Sequence, residues 1–533
     1  MKKHHLLGVI LLCSGLFSCS SGVIQQANYE VIPLPQEIKI TTGSFVLNDR
    51  TSIVYPKDNK EMQQNANLLA KYIHQMSGKK LKVIDEPVTS NAIILATGLN
   101  ADNAEAYQLK VTQDNVTITG TSEAGTFYGI QTLRKSLPIT NKGDISLPAA
   151  EINDYPRFSY RGVHLDVSRH FFPADSVKRF IDMMALHNIN RLHWHLTDDQ
   201  GWRIEVKKYP LLTQEGSWRD FDEYDKRCVE LAQQDYNYEI DPRFVRNGSQ
   251  YGGYYTQEEM KGLVSYALER GIDIVPEIDM PGHFSAAIKV YPELSCTGEA
   301  GWGEEFSYPI CPSRLENYQF VQSIIDEMVE IFPSEYFHIG ADEVEKDNWE
   351  QCEACQRLMQ QEGYQKVDEL QNRFVKIMTN YVKGKGKKVM GWDDAFLEKE
   401  PQDLIYTYWR DWLPDQPGKI TQKGYPIIFM EWSRFYLSAT PSDEGLSSLY
   451  NFEFEPQFPG IIKQNVLGFQ ACVWTEMIPN ERKFGQHVFP SLQAFSELAW
   501  GSDRNWIDFT NRLKWHVRWL NANGFYLTKP GFI

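Results

Sequence analysis

Between residues 161 and 476 short apolar runs alternate with stretches of helical periodicity. The runs read RGVHLDVSR, INRLHWHLTDD, DIVPEID, YFHIGADE, KVMGWDD, LIYTYWR, PIIFMEW and GFQACVWTE, and most end on polar or aromatic residues. After the first run, Val177, Phe180, Ile181 and Met184 fall at i, i+3, i+4 and i+7, one apolar face of a helix. Before the third, Thr256 and Glu259 form a capping box, Met260, Leu263, Val264 and Ala267 repeat the apolar face, and Gly271 follows its end. Eight strand–helix repeats predict a closed (β/α)8 TIM barrel, whose chemistry belongs at the carboxyl ends of the strands.

Upstream the rhythm differs. From about Tyr29 to Pro138 the pattern is that of a smaller α+β domain. Tyr107, Leu109 and Val111 alternate, the chain turns at Asp114 and Asn115, and Val116 and Ile118 resume, as in a hairpin. GTFYGIQTLRKSL then reads as a helix. No acids, bases or ligands converge here, so an α/β sandwich domain over 25–152 is expected to be non-catalytic. NDYPRF at 153–158 marks the junction, and 153–533 forms the barrel with a C-terminal helix.

The chain has 533 residues, enough for two domains, and 42% hydrophobic with 23% charged residues is ordinary for a globular protein. A formal charge of −16 argues against a nucleic-acid partner. Residues 1–19 read as a targeting segment: Lys2 and Lys3 precede an apolar run from Leu6 to Phe17 too short to span a bilayer. LFSC followed by SSG resembles a bacterial lipobox, with Cys19 as the lipidated residue, which implies export to the periplasm or outer membrane on a lipid anchor. Six further cysteines then fall where disulfides are permitted. Cys296 and Cys311 flank one loop and are expected to pair. Cys352 and Cys355 form a CxxC with no second cysteine or histidine pair at metal spacing, so a local disulfide or two free thiols is expected rather than zinc.

The strand ends supply Arg169, Asp198, Asp279 with nearby His283, Asp342 with Glu343, Trp392 with Asp393, Trp409, Trp432 with nearby Tyr436, and Trp474 with Glu476. This set has no glycine-rich phosphate loop, no dinucleotide fingerprint and no metalloprotease spacing, so neither cofactor nor metal is expected. Aromatic walls with carboxylates and an arginine suit a pyranose. His193 and His195 are read as barrel-core or rim histidines, and Asp279 and Asp393 as equally able to be rim hydrogen-bonding residues.

GVHLDVSRHF, LHWHLTDDQGWRIE, PEIDMPGH, HIGADEV, GWDD and WTE, in this order, resemble glycoside hydrolase family 20, the β-N-acetylhexosaminidases. Most glycosidases need two carboxylates about 5 Å or more apart; family 20 is a recognised exception in which the substrate's 2-acetamido oxygen attacks the anomeric carbon. The resemblance implies Glu343 as acid and then base, Asp342 as the group that orients the acetamido N–H, and Tyr436 on the acetamido oxygen. The adjacency of Asp342 and Glu343 is expected to split their proton affinities. Trp392, Trp409 and Trp474 resemble the pocket walls, Arg169 and Glu476 the holders of the C3 and C4 hydroxyls, and Asp198 and His283 a supporting pair leading to Glu343, with Asp279 as further support.

The implied activity is exo-acting removal of terminal GlcNAc or GalNAc from glycoprotein, mucin or glycosaminoglycan fragments. A disaccharide-releasing relative of lacto-N-biosidase type and an inactive glycan-binding lipoprotein are the alternatives. The pattern departs from the family at Ser438, where members commonly carry aspartate facing the outer hydroxyls near C6. Loss of that charge implies tolerance of 6-O-sulfated GlcNAc, with Arg434 as a helper.

Overall fold

The computed structural model describes residues 24–138 and 143–524, so the expected signal segment and Cys19 lie outside the described residues. Eight parallel strands close a barrel: β1 Tyr160–Asp166, β2 Arg191–His195, β3 Asp273–Glu277, β4 Tyr336–His338, β5 Lys388–Trp392, β6 Ile405–Tyr408, β7 Ile427–Phe429 and β8 Val466–Val473. Each pairs with its sequence neighbours, and β8 closes on β1 through Gly468 opposite Tyr160. All eight runs picked out by hydrophobicity form these strands. They are buried on both faces, so the runs are nearly continuous rather than alternating.

Helices cover the outside. Ala174–Leu186 buries Val177, Phe180, Ile181 and Met184, and Gln257–Leu268 carries the Thr256/Glu259 capping box and ends before Gly271, whose φ of 67° is left-handed.

The amino-terminal domain is one eight-stranded mixed sheet with helices Lys60–Ser77 and Glu123–Ser136 against it. Tyr107–Val111 and Asn115–Gly120 form the expected antiparallel hairpin. Its last strand, Ile145–Asp154, ends just before β1. The helix Glu123–Ser136 is buried along nearly its whole length, because the barrel covers the side that the sheet does not.

Polar contacts fix the domains together. Buried Arg161 on β1 pairs with Glu105 at 2.7 Å, and Trp519 of the C-terminal helix Trp506–Ala522 donates to the Leu137 carbonyl. Arg512 of that helix bonds both Glu497 and the Val31 carbonyl. The amino-terminal domain is thus a buttress, far in the topology from the strand ends.

Candidate active site

The loop that leaves β4 holds Asp342 and Glu343 in an unusual backbone. Gly340, Ala341 and Glu343 have φ of 68°, 81° and 46°, and His283 in the loop after β3 has 51°. Non-glycine residues at positive φ are costly, and such cost collects where side chains must be aimed. Gly340 is forced by a close approach: a Cβ there would lie 1.7 Å from Oδ1 of Asp279. That oxygen accepts the Ala341 N–H at 3.2 Å and so braces the loop.

The two acids differ in surroundings. The Glu343 side chain is 29% exposed and that of Asp342 11%, so Glu343 faces the open side and Asp342 the pocket. His283 bridges them, with Nε2 3.3 Å from Glu343 Oε2 and 3.8 Å from Asp342 Oδ2. Its other nitrogen lies 3.3 Å from Asp198 Oδ1 and 3.2 Å from Asp199 Oδ2. Burial disfavours the imidazolium, yet these carboxylates together hold the His283 pKa well above its ordinary value.

Burial, and after it the charge of Asp279, pushes Asp342 well above the usual carboxylate range; Glu343 contributes less. Asp279 is itself pushed up, by burial first, and is a hydrogen-bonding neighbour of Asp342. The proton affinity of Asp342, expected to be set by adjacency along the chain, is therefore set first by burial, and among the neighbouring carboxylates Asp279 on β3's loop weighs more than Glu343. Oδ1 of Asp342 is buried and has no hydrogen-bond partner.

Around these groups the aromatic residues form an arc. Trp409 stacks on Tyr436 with centroids 6.4 Å apart, and Trp474 lies 6.0 Å from both Tyr436 and Trp392. Burial, with Cys472 and then the nearby charges of Asp342 and Glu343 among the smaller causes, holds the Tyr436 hydroxyl protonated, so it is a donor. Arg169 lies over Trp474 and pairs with Asp198 at 2.8 Å, with Asp166 at 3.4 Å and with Glu476 at 3.9 Å. Burial raises the Glu476 pKa, and Arg169 opposes it.

The long insertion at 221–253 contains the helix Glu223–Ala232 and, with Trp218–Asp220, a three-stranded sheet. Arg219, held by Asp225, donates to the Arg169 carbonyl at 2.8 Å, so the insertion braces the arginine.

Asp393 does not join the constellation. It binds Arg410 and accepts the Trp409 N–H, whereas the next residue, Asp394, accepts from Trp409 Nε1 at 2.8 Å and titrates at about 6, raised by burial. Arg434 is committed to Glu431 at 2.6 Å and to Ser448, and Ser438 Oγ accepts the Trp474 N–H at 2.8 Å. The expected Cys296–Cys311 bridge is not formed: both cysteines are free, and each sulfur sits 3.7 Å from that of Cys355.

The residues that sequence reasoning missed lie one layer below. Glu277 on β3 accepts from His195 at 2.6 Å and from Trp392 Nε1 at 2.9 Å, with His193 and His338 at 3.1 and 3.0 Å. Burial works against its ionisation, but these histidines hold it well below the usual range. His195 also reaches Asp198 Oδ2 at 2.8 Å, so it is no inert core histidine. The clue was parity: His193, His195, Glu277 and Asp279 all occupy barrel-facing positions.

The family model for the glycosyl hydrolase family 20 catalytic domain matches residues 158–503, and that for domain 2 of the same family matches 28–155. The chain belongs to glycoside hydrolase family 20. A β-hexosaminidase of Porphyromonas gingivalis is 33% identical over 96% of this chain and 66% of its own length, so the chain spans about two thirds of that relative. Among solved structures, the family 20 exo-β-N-acetylglucosaminidase of Vibrio harveyi in complex with N-acetylglucosamine has a TM-score of 0.80 at 29% identity, covering 95% of this chain and 79% of that one. The β-N-acetylhexosaminidase of Bacteroides fragilis has a TM-score of 0.76 at 26% identity, covering 93% and 96%. The family 20 barrel, preceded by its α/β domain, is the fold described above.

Proposed function

We propose that this protein is an exo-acting β-N-acetylhexosaminidase that hydrolyses terminal β-linked GlcNAc or GalNAc with retention, using the substrate's acetamido oxygen as nucleophile. The observation that carries this reading is Asp342 Oδ1, a buried acceptor with no partner beside the half-buried acid Glu343. Leaving a buried acceptor unpaired costs about 1–3 kcal/mol, and an acetamido N–H would satisfy it. Asp198 is engaged by Arg169, Asp394 by Trp409, and Glu476 lies beside Arg169.

In this mechanism Glu343 protonates the leaving oxygen while the acetamido carbonyl oxygen attacks the anomeric carbon, which gives an oxazolinium-like intermediate. Tyr436 donates to that carbonyl oxygen, and the aromatic arc encloses the group against water. Asp342 and its neighbour Asp279, both with pKa raised by burial, hold negative charge beside the acetamido group as positive charge grows on the ring. Glu343, now ionised, takes a proton from water, which opens the intermediate at the anomeric carbon. Arg169 and Glu476 fit the C3 and C4 hydroxyls, whose recognition places the sugar in the terminal site.

Ser438 supports acceptance of a 6-O-sulfate. Its oxygen accepts from the Trp474 backbone, leaving its own proton free to donate, and it places no anion near C6. Arg434 is turned to Glu431, so this reading rests on Ser438 alone. Export with lipid attachment at Cys19 rests on the lipobox-like sequence; membrane fractionation of wild type and Cys19→Ala tests it.

Release of the chromophore from an aryl β-GlcNAc glycoside by wild type, with Glu343→Gln as control, tests the activity. Turnover by wild type alone is expected, and equal inertness of both would overturn it.

A further inference from the structure

Outside the active site, the loops after β3 and β4 bring together Cys296, Cys311, Cys352 and Cys355, whose sulfurs all lie within 4.8 Å of one another. We propose that these four thiols form a structural zinc site.

Three observations carry the proposal. The first is geometric. Four thiolates at about 2.3 Å from a tetrahedral zinc lie ~3.8 Å apart along each edge. Cys355 Sγ lies 3.7 Å from both Cys296 and Cys311. Cys355 is thus equidistant from two partners, the relationship of corners around a common centre.

The second is how each pair is held. Cys352 is the N-cap residue of the helix Glu353–Glu362 and Cys355 sits in its first turn, so one helix start brings both sulfurs to the cluster. Opposite them, the Cys311 N–H donates to the Leu294 carbonyl at 2.8 Å, and Asn317 Nδ2 donates to the carbonyls of Leu294 and Cys311. The loop that carries Cys296 and Cys311 is therefore closed at its base independently of any bond between its sulfurs.

The third is the surroundings. The cysteines belong to a small apolar cluster with Val344, Trp349 and Leu370, separate from the main core. Trp349 Nε1 donates to the Ile310 carbonyl next to Cys311. Four sulfur ligands with no open position, two of them buried and two half-buried, select zinc as a structural ion over harder cations. Binding converts four thiols and one Zn²⁺ into a tetrathiolate complex of charge 2− and releases four protons.

The site would join the loop bearing His283 to the loop bearing Glu343. Val344 follows Glu343 directly and packs in the same cluster, so the metal would fix the backbone that aims the acid.

The test is elemental analysis of the full chain purified without chelator. About one zinc per chain is expected in wild type. Cys352→Ser and Cys311→Ser should lose it, whereas Cys228→Ser, a buried cysteine outside the cluster, should keep it. Cobalt exchanged into the site should give the strong visible absorption of tetrahedral thiolate coordination, a readout independent of activity. If the chain is purified metal-free, its thiols are counted in denaturant and zinc is added. Tight binding with a raised Tm supports the site. Free thiols that bind no zinc, iron in place of zinc, or loss of four thiols as two disulfides would each overturn it.

Discussion

His283 lies between the two acids and the anionic pair behind them, its Nε2 3.3 Å from Glu343 Oε2 and its Nδ1 3.3 Å from Asp198 Oδ1. The acid is thus aimed by a cation that Arg169 reaches in turn through Asp198. His283→Ala should lower kcat by roughly 10²-fold and displace a limb of the pH–rate profile, because general acid–base catalysis depends on the donor's position and charge environment. A loss in KM alone, with kcat and profile intact, would reduce His283 to a packing residue.

Glu343→Gln should lose roughly 10²–10⁴-fold in kcat towards substrates whose leaving group needs a proton. The loss should shrink steadily as the leaving phenol becomes more acidic, since a good leaving group departs unprotonated. A loss independent of leaving group would mean that Glu343 does not donate the proton.

His195 makes a stability prediction. Burial opposes its charge, but Glu277 and Asp198 raise its pKa from 6.5 to about 10. The folded state therefore holds a proton that the unfolded chain has lost between those values. The stabilisation is full below pH 6.5 and fades as pH rises towards 10, by at most several kcal/mol. Wild-type Tm should fall across that window, while His195→Gln starts lower and falls less. Parallel slopes for the two proteins would contradict this role.

For Ser438, wild type should hydrolyse both an aryl β-GlcNAc glycoside and its 6-sulfate. Ser438→Asp should lose at least about 10-fold selectively on the sulfated one, through like-charge repulsion in a partly buried pocket. Equal rejection of the sulfate by both proteins removes the proposed tolerance.

Much of this was legible because the fold puts its chemistry at strand ends. Carboxylates and tryptophans that terminate apolar runs, such as Asp342 after β4 and Trp392 at the end of β5, stand out against the hydrophobic background. Local signals also carried well: the Thr256 capping box and the hairpin before Gly120 depend on neighbours in sequence. What stayed hidden depends on contacts between distant segments. Glu277, two residues before Asp279, looks like one more rim acid until β2 and β4 bring three histidines around it. The coupling of Asp342 to Asp279 needs Gly340 to let them meet. The cysteine cluster joins two loops whose spacing matches no single motif.

The central claim is that the substrate supplies the nucleophile, and replacing acetyl hydrogens by fluorine tests it directly. Each fluorine weakens the carbonyl oxygen as a nucleophile and barely alters the leaving group. Participation predicts that wild-type kcat/KM falls steeply through the N-acetyl, N-fluoroacetyl, N-difluoroacetyl and N-trifluoroacetyl aryl glycosides. A flat series would contradict it, and would require a protein carboxylate to attack the anomeric carbon instead.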